Sequence, residues 1–261
     1  MTAQGARERS RRGIIEQSAV WAQPAGEPAT LLEASWRDFV FAEIWSRPGL
    51  DRRARYLVAM AGAACAGGPA HVLESYVRGA LVNGELTLAE LREGALQVAV
   101  YGGWSSGALL DECVTSVADA LDLPAAGHAP LAPESWEPAA RIAAARKVFE
   151  RVACTPSPPP FSAYIEVGVL AFVFGELWTR PALDQRARRW LTVTCVAHSA
   201  ADLPIRSHCY STLASGDATR EELLEFVLQF AIHAGWPQAA VVQSAILEQA
   251  HRVAKGLPFE P

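Results

Sequence analysis

Apolar positions along this chain gather into runs too long for strands, punctuated by the signals that open and close helices. Segments Arg53–Ala66 and Arg186–Ser199 are nearly unbroken apolar stretches, and runs of that length read as buried helices. Both follow Pro-x-Leu-Asp, where the carboxylates of Asp51 and Asp184 can accept from the first free backbone N–H groups as N-caps. A second helix is predicted over Ala70–Val82 and again over Pro204–Ala214. Each is closed by a glycine, Gly84 or Gly216, suited to the left-handed position past a helix end. Thr87-Leu-Ala-Glu90 and Thr219-Arg-Glu-Glu222 have the spacing of capping boxes, so a third helix runs from each to the breaks at Gly102-Gly103 and Gly235. A fourth begins near Gly107 and near Pro237. No alternating pattern of useful length competes, and the expected fold is all-α.

The predicted elements come in pairs because the sequence does. The stretch Phe41–Arg55 matches Phe174–Arg188 at 10 of 15 positions, at an offset of 133, and Leu96–Trp104 aligns with Leu228–Trp236 at an offset of 132. The chain therefore reads as a tandem duplication. The expected order is an N-terminal extension over 1–30, a first repeat over 31–125, a Pro-rich linker with a helical lead-in over 126–160, and a second repeat over 161–261. Proline clusters at 123–138 and 156–160 mark the seam, since proline is excluded from helix interiors.

Composition narrows the function classes. With 51% hydrophobic and 20% charged residues, the 261-residue chain can bury a large core, although composition alone does not decide between one domain and two. A net charge of −5 provides no basic field for phosphate backbones, so no nucleic-acid partner is expected. The clusters Arg7–Arg12 and Arg52–Arg55 read as solvated faces or helix ends. The odd set Cys65, Cys113, Cys154, Cys195 and Cys209 has no CxxC spacing, which suggests reduced, mostly buried thiols and a cytoplasmic address. No apolar run of signal or membrane-spanning length is found, so no membrane partner is expected. The histidines lack zinc-ligand spacing, carboxylates do not cluster, and no Gly-rich phosphate loop precedes a helix, so no metal is expected.

Three strings carry a family resemblance: Phe174-Gly-Glu-Leu-Trp-Thr-Arg-Pro-x-Leu-Asp184, then His208-x-x-x-x-Leu-x-x-Gly-x-x-Thr-x-x-Glu-Leu, then Gln229-x-Ala-x-x-Ala-Gly-Trp-Pro237. Over about residues 36–120 and 165–250 the chain resembles the carboxymuconolactone decarboxylase family, relatives of the alkyl hydroperoxidase D-like proteins. The resemblance implies two such helical bundles forming an intrachain pseudo-dimer, a homo-oligomer of tandem chains (trimer or dimer), and a site that handles a small-molecule substrate without a cofactor. The family's peroxidase branch needs a glutamate, a CxxC pair and a histidine. Counting back from His208 puts Pro204 and Ala201 at the cysteine positions and Arg189 at the glutamate. The first copy has Tyr76 and Tyr56 at the histidine and glutamate positions, so thiol peroxidase chemistry is not expected. The decarboxylase branch keeps a histidine in its His-Val-Arg-Gly segment. The first copy reads Tyr76-Val-Arg78-Gly, with the arginine kept, and the second reads His208-Cys-Tyr-Ser, with the histidine kept.

His208 lies in that register with Arg206 two residues before it, and is the candidate for proton transfer, since imidazole titrates near neutrality; a helix histidine can also be purely structural. His233 stands where the first copy has Tyr101. It is a candidate either to bind a substrate carboxylate or pair with His208, or to cap a helix end. Arg189 is either a clamp for an anionic substrate or enolate, or one more solvated arginine beside Arg186 and Arg188. Glu43 and Glu176 are candidate bases or partners of Arg47 and Arg180. Trp104 and Trp236 are candidate aromatic walls, and Tyr76, Arg78 and Tyr101 complete the candidate binding set. The expected function is a cofactor-free lyase acting on a carboxylated lactone or oxygenated acid, with a non-catalytic ligand-binding or partner protein as the alternative.

Overall fold

Asp51 and Asp184 accept hydrogen bonds from the backbone N–H groups of Ala54 and Ala187 at 2.8 Å, and the two central helices start there. The computed structural model describes residues 3–131 and 138–261. In chain order the helices are α1 (Ala3–Trp21), α2 (Leu31–Ser35), α3 (Arg52–Ala66), α4 (Ala70–Val82), α5 (Leu88–Gly102), α6 (Trp104–Ala120), α7 (Pro138–Ala153), α8 (Gln185–His198), α9 (Asp202–Ala214), α10 (Arg220–Ala234) and α11 (Trp236–Ala254). Two π-helical segments, Trp36–Trp45 and Tyr164–Phe174, precede α3 and α8. No strand occurs among the described residues, so the fold is all-α. Residues 132–137 of the Pro-rich stretch lie outside the described residues.

Both capping boxes form, Thr87 with Glu90 and Thr219 with Glu222. Gly84 and Gly216 take positive φ of 70° and 73° past the ends of α4 and α9, a region where a Cβ would be strained. Helix α9 opens two residues before the predicted start, because Pro204 sits within the first turn where its missing N–H costs nothing. Helices α6 and α11 also begin earlier, directly after Gly103 and Gly235.

The order α3–α4–α5–α6 recurs as α8–α9–α10–α11, an arrangement compatible with duplication. Helices α3 and α8 pack on one another at the centre, α10 packs on α3, and α5 packs on α8. Each half thus lends its third helix to the other, and one apolar core takes side chains from both. The polar groups inside this interface are matched in a cross-wise manner. Arg55 donates to Gln229 (2.9 Å) and Glu225 (3.3 Å), while Arg188 donates to Gln97 (3.1 Å) and Glu93 (3.3 Å). Both arginines are only 1% exposed, so each needs these partners to remain charged in the interior.

The arginine clusters fall as solvated positions and a helix end, with one exception: Arg7, Arg11 and Arg12 are exposed on α1 and Arg52–Arg55 form the first turn of α3, but Arg55 turns into the core. Arg55 is buried, Arg52 pairs with Glu16, Arg53 bridges Glu90 and Asp184, and Arg12 donates to the Ala42 carbonyl. The N-terminal extension forms a helix, α1, that packs along the first π-helical segment as α7 packs along the second.

Candidate functional site

The two helices that precede the π-helical segments define the site. Tyr56 donates to the carbonyl of Val20 near the end of α1. At the equivalent place Arg189 donates to the carbonyl of Val152 near the end of α7, at 2.7 Å. Ala22 and Cys154 then leave those helices with matching positive φ of 49° and 55°. This register equates Trp21 with Ala153, and the Phe41–Phe174 match equates Trp36 with Val169.

In the first half Trp21 and Trp36 fill the space over Tyr76 and His233. Trp21 lies 6.4 Å from the Tyr76 ring, Trp36 lies 5.9 Å from the His233 ring, and the two indoles are 6.5 Å apart. In the second half the same positions are Ala153 and Val169, and both line a cavity of about 990 Å³. Its wall is mainly aromatic and aliphatic, with Trp104, Phe149, Phe172 and Phe259 among the lining residues, and polar groups enter at His208, Tyr101, Ser207 and Ser211. Among the described residues lining it, none is Lys, Arg, Asp or Glu.

His208 and Tyr101 come from opposite halves and meet edge to face, with ring centroids 5.5 Å apart. The Trp178 indole N–H donates to the Tyr101 hydroxyl at 2.8 Å, which leaves the phenolic proton free to be donated. Burial pushes the Tyr101 pKa up to about 12, so the phenol stays protonated at neutral pH. Burial, with the charge of Arg189 adding to it, pulls the His208 pKa down to about 3, and the imidazole stays neutral. Its Nδ1 is buried with no hydrogen-bond partner among the described residues.

The other candidate residues are placed as follows. Arg189 points inward but lies behind the wall: its guanidinium donates to Asp217 (3.0 Å), Ser211 (3.1 Å) and Val152, and sits 5.1 Å from the Trp178 ring. It is neither an open clamp nor a solvated residue, and it shapes the site by its charge. His233 packs on Tyr76 at 5.8 Å in the filled site, and it does not pair with His208, because the two belong to different sites. Arg206 faces away and pairs with Glu248 at 2.8 Å. Glu176 pairs with Arg141 at 3.0 Å and with Arg180 at 3.9 Å, outside the cavity lining. Glu43 instead meets Arg9, and Arg47 meets Glu225. Both tryptophans are more than half exposed; Trp104 lines the cavity and stacks on Phe172 at 6.5 Å, whereas Trp236 lies against Phe39. Arg78, on α4, does not line the cavity.

Sequence reasoning missed Ala153, Val169, Phe172 and the C-terminal Phe259. The exchange of two tryptophans for Ala and Val becomes visible once the repeat alignment is carried upstream of Phe41.

The architecture is therefore an all-helical bundle whose two halves share a core and together line a large open cavity. Residues 31–108 match the carboxymuconolactone decarboxylase family, and this segment contains Tyr101 and Trp104 of the cavity wall. The chain is also similar to the 4-carboxymuconolactone decarboxylase of Acinetobacter baylyi, at 29% identity over 90 residues, covering 34% of this chain and 63% of that protein. The match thus spans less than two thirds of the relative's length.

Proposed function

We propose that this chain is a cofactor-independent, decarboxylase-like lyase working at the His208–Tyr101 site, on an oxygenated and largely apolar small molecule with a carboxyl group near a carbonyl or lactone. The observation carrying this reading is the pairing of a neutral imidazole with a protonated phenol at the wall of a large apolar cavity. Loss of carbon dioxide leaves an electron pair that delocalises onto the neighbouring oxygen as an enolate, and donors aimed at that oxygen lower the barrier. The Tyr101 hydroxyl, at the cavity wall with its proton free, is the donor in this reading, and it can return a proton to carbon and regain one from solvent. With no charged residue in the lining, a substrate carboxylate is poorly solvated there, which favours its departure as neutral carbon dioxide.

The similarity to 4-carboxymuconolactone decarboxylase supports the reaction type. The cavity supports a bulkier substrate than a small lactone, since about 990 Å³ stands at the upper end of the roughly 300–1,000 Å³ range of ligand pockets. A tandem duplication, with one half's site filled and the other's open, is part of the same reading. A second reading, a ligand-binding protein without turnover, draws on the low pKa of His208 and the engagement of Arg189 and Glu176 with protein partners.

Carbon dioxide release from a panel of aromatic and lactone carboxylic acids distinguishes the two readings. On the first, Tyr101→Phe and His208→Gln each lower turnover by roughly 100-fold or more. Tight binding without carbon dioxide release would replace it with the second, and full turnover in both variants would move the chemistry away from His208 and Tyr101.

A further inference from the structure

Two thiols on opposite halves touch at the centre of the molecule. Cys65 near the end of α3 and Cys195 near the end of α8 have their sulfurs 3.7 Å apart. Closing that gap to the roughly 2.05 Å of a disulfide takes less than about 2 Å of movement. Cys65 is part-exposed and Cys195 is buried, which gives one thiol that a small reagent can reach and one that only Cys65 can meet.

Pseudo-symmetry does not require thiols here. The equivalents of Cys65 and Cys195 on the other side of the molecule are His198 and Gly62, where the His233 side chain packs against the glycine. The pair is peculiar to the side of the open cavity. It is also coupled to that cavity, because Gly102 presses on both sulfurs: a Cβ on Gly102 would fall 2.7 Å from Cys65 Sγ and 3.3 Å from Cys195 Sγ. The flanking Tyr101 and Trp104 line the cavity. A hydrogen bond with Cys195, helped by one with Ser106, holds the Cys65 thiol below its usual pKa, while the same contact and burial push Cys195 up. The part-exposed Cys65 fits the attacking thiol and the buried Cys195 the resolving one.

We propose that Cys65 and Cys195 are a reversible oxidation site, forming an intrachain disulfide that ties the two halves together beneath the Gly102 turn. The oxidant class is a small disulfide such as oxidised glutathione. The Cys65 thiolate attacks one sulfur of that molecule and expels one glutathione thiolate, which takes up the proton that Cys65 released. Cys195 sulfur then attacks Cys65 Sγ, expels the second glutathione and gives up its proton to it. One Sγ–Sγ bond is formed, two protein thiols are oxidised, and one small disulfide is reduced to two thiols.

The test is to equilibrate the purified chain with oxidised glutathione, alkylate free thiols, digest with trypsin and map the linked peptides. The expected product joins residues 56–78 to residues 190–206, each of which holds one cysteine. It disappears on reduction and in Cys65→Ser, and in Cys195→Ser the glutathione remains as a mixed disulfide on Cys65. Closing a loop of 130 residues also raises the melting temperature of the oxidised wild type by several degrees, a rise that Cys65→Ser does not show. Circular dichroism of the reduced variants establishes that they fold. Recovery of both thiols alkylated while Cys154 is modified, a link between two chains, or a stable mixed disulfide on wild-type Cys65 would overturn the proposal.

Discussion

Tyr76 and His208 occupy equivalent positions, as do Tyr101 and His233, so each site holds one tyrosine and one histidine drawn from opposite halves. What separates an open site from a filled one is the pair Trp21 and Trp36 against Ala153 and Val169. Ala153→Trp should therefore rebuild the plug. We expect the melting temperature to be held or raised, because the indole enters space already present, and ligand affinity to fall at least tenfold by calorimetric titration; unchanged affinity would place the ligand elsewhere. The protonation of His208 gives a second residue-level prediction. A folded pKa near 3 leaves the imidazole neutral throughout the range where a free histidine titrates. The pH profile of kcat/KM should accordingly show no limb near 6.5, and a limb there would mean that His208 cycles through a charged form.

The elements owe their positions to signals of different reach. Capping boxes, Asp N-caps and glycine stops act over three or four residues, and so Thr87, Thr219, Asp51 and Gly84 were legible in the sequence and stand where they were expected. Helix α1 was not legible: it is polar and Arg-rich, and it is held by tertiary bonds such as Ser10 to Asp38 and Arg12 to the Ala42 carbonyl. The π-helical segments were hidden as well, since an i→i+5 ladder departs from the 3.6-residue period of an α-helix and Tyr164–Phe174 is apolar at nearly every position. The site was legible in part. The register brought out His208, Tyr101 and Trp104, but the spacing of residues along the chain could not show that the first two would meet across halves, or that Arg189 would be spent on Asp217, Ser211 and Val152. The element-scale prediction concerns that interface. Glu93 accepts from both Arg180 and Arg188, so Glu93→Ala leaves buried guanidinium charge uncompensated and should cost about 3–5 kcal/mol in chemical denaturation. A loss under about 1 kcal/mol would mean that the network is solvated.

For the molecule as a whole, three histidines are stored in neutral form, with pKa values drawn by burial to about 4 at His198 and His233 and about 3 at His208. Each binds a proton more readily in the unfolded chain, near 6.5, than in the folded one. Stability is therefore complete above about pH 6.5 and is lost as pH falls toward 4, by up to about 1.4 kcal/mol per histidine per pH unit. The melting temperature should drop between pH 7 and pH 5, and His198→Gln should shallow that dependence; a flat profile would mean that the histidines are solvated. No helix among the described residues is long and apolar enough to cross a membrane, and the shared core ties both halves into one unit. The central claim is that this unit offers one working cavity, with His208 and Tyr101 at its wall. Its most direct test is a crystal structure after soaking with carboxylated lactones and fused-ring aromatic acids. The account predicts a ligand between Ala153, Val169 and Trp104 with an oxygen in reach of Tyr101 or His208. A ligand seated over Tyr76 and His233 with the second cavity empty would contradict it.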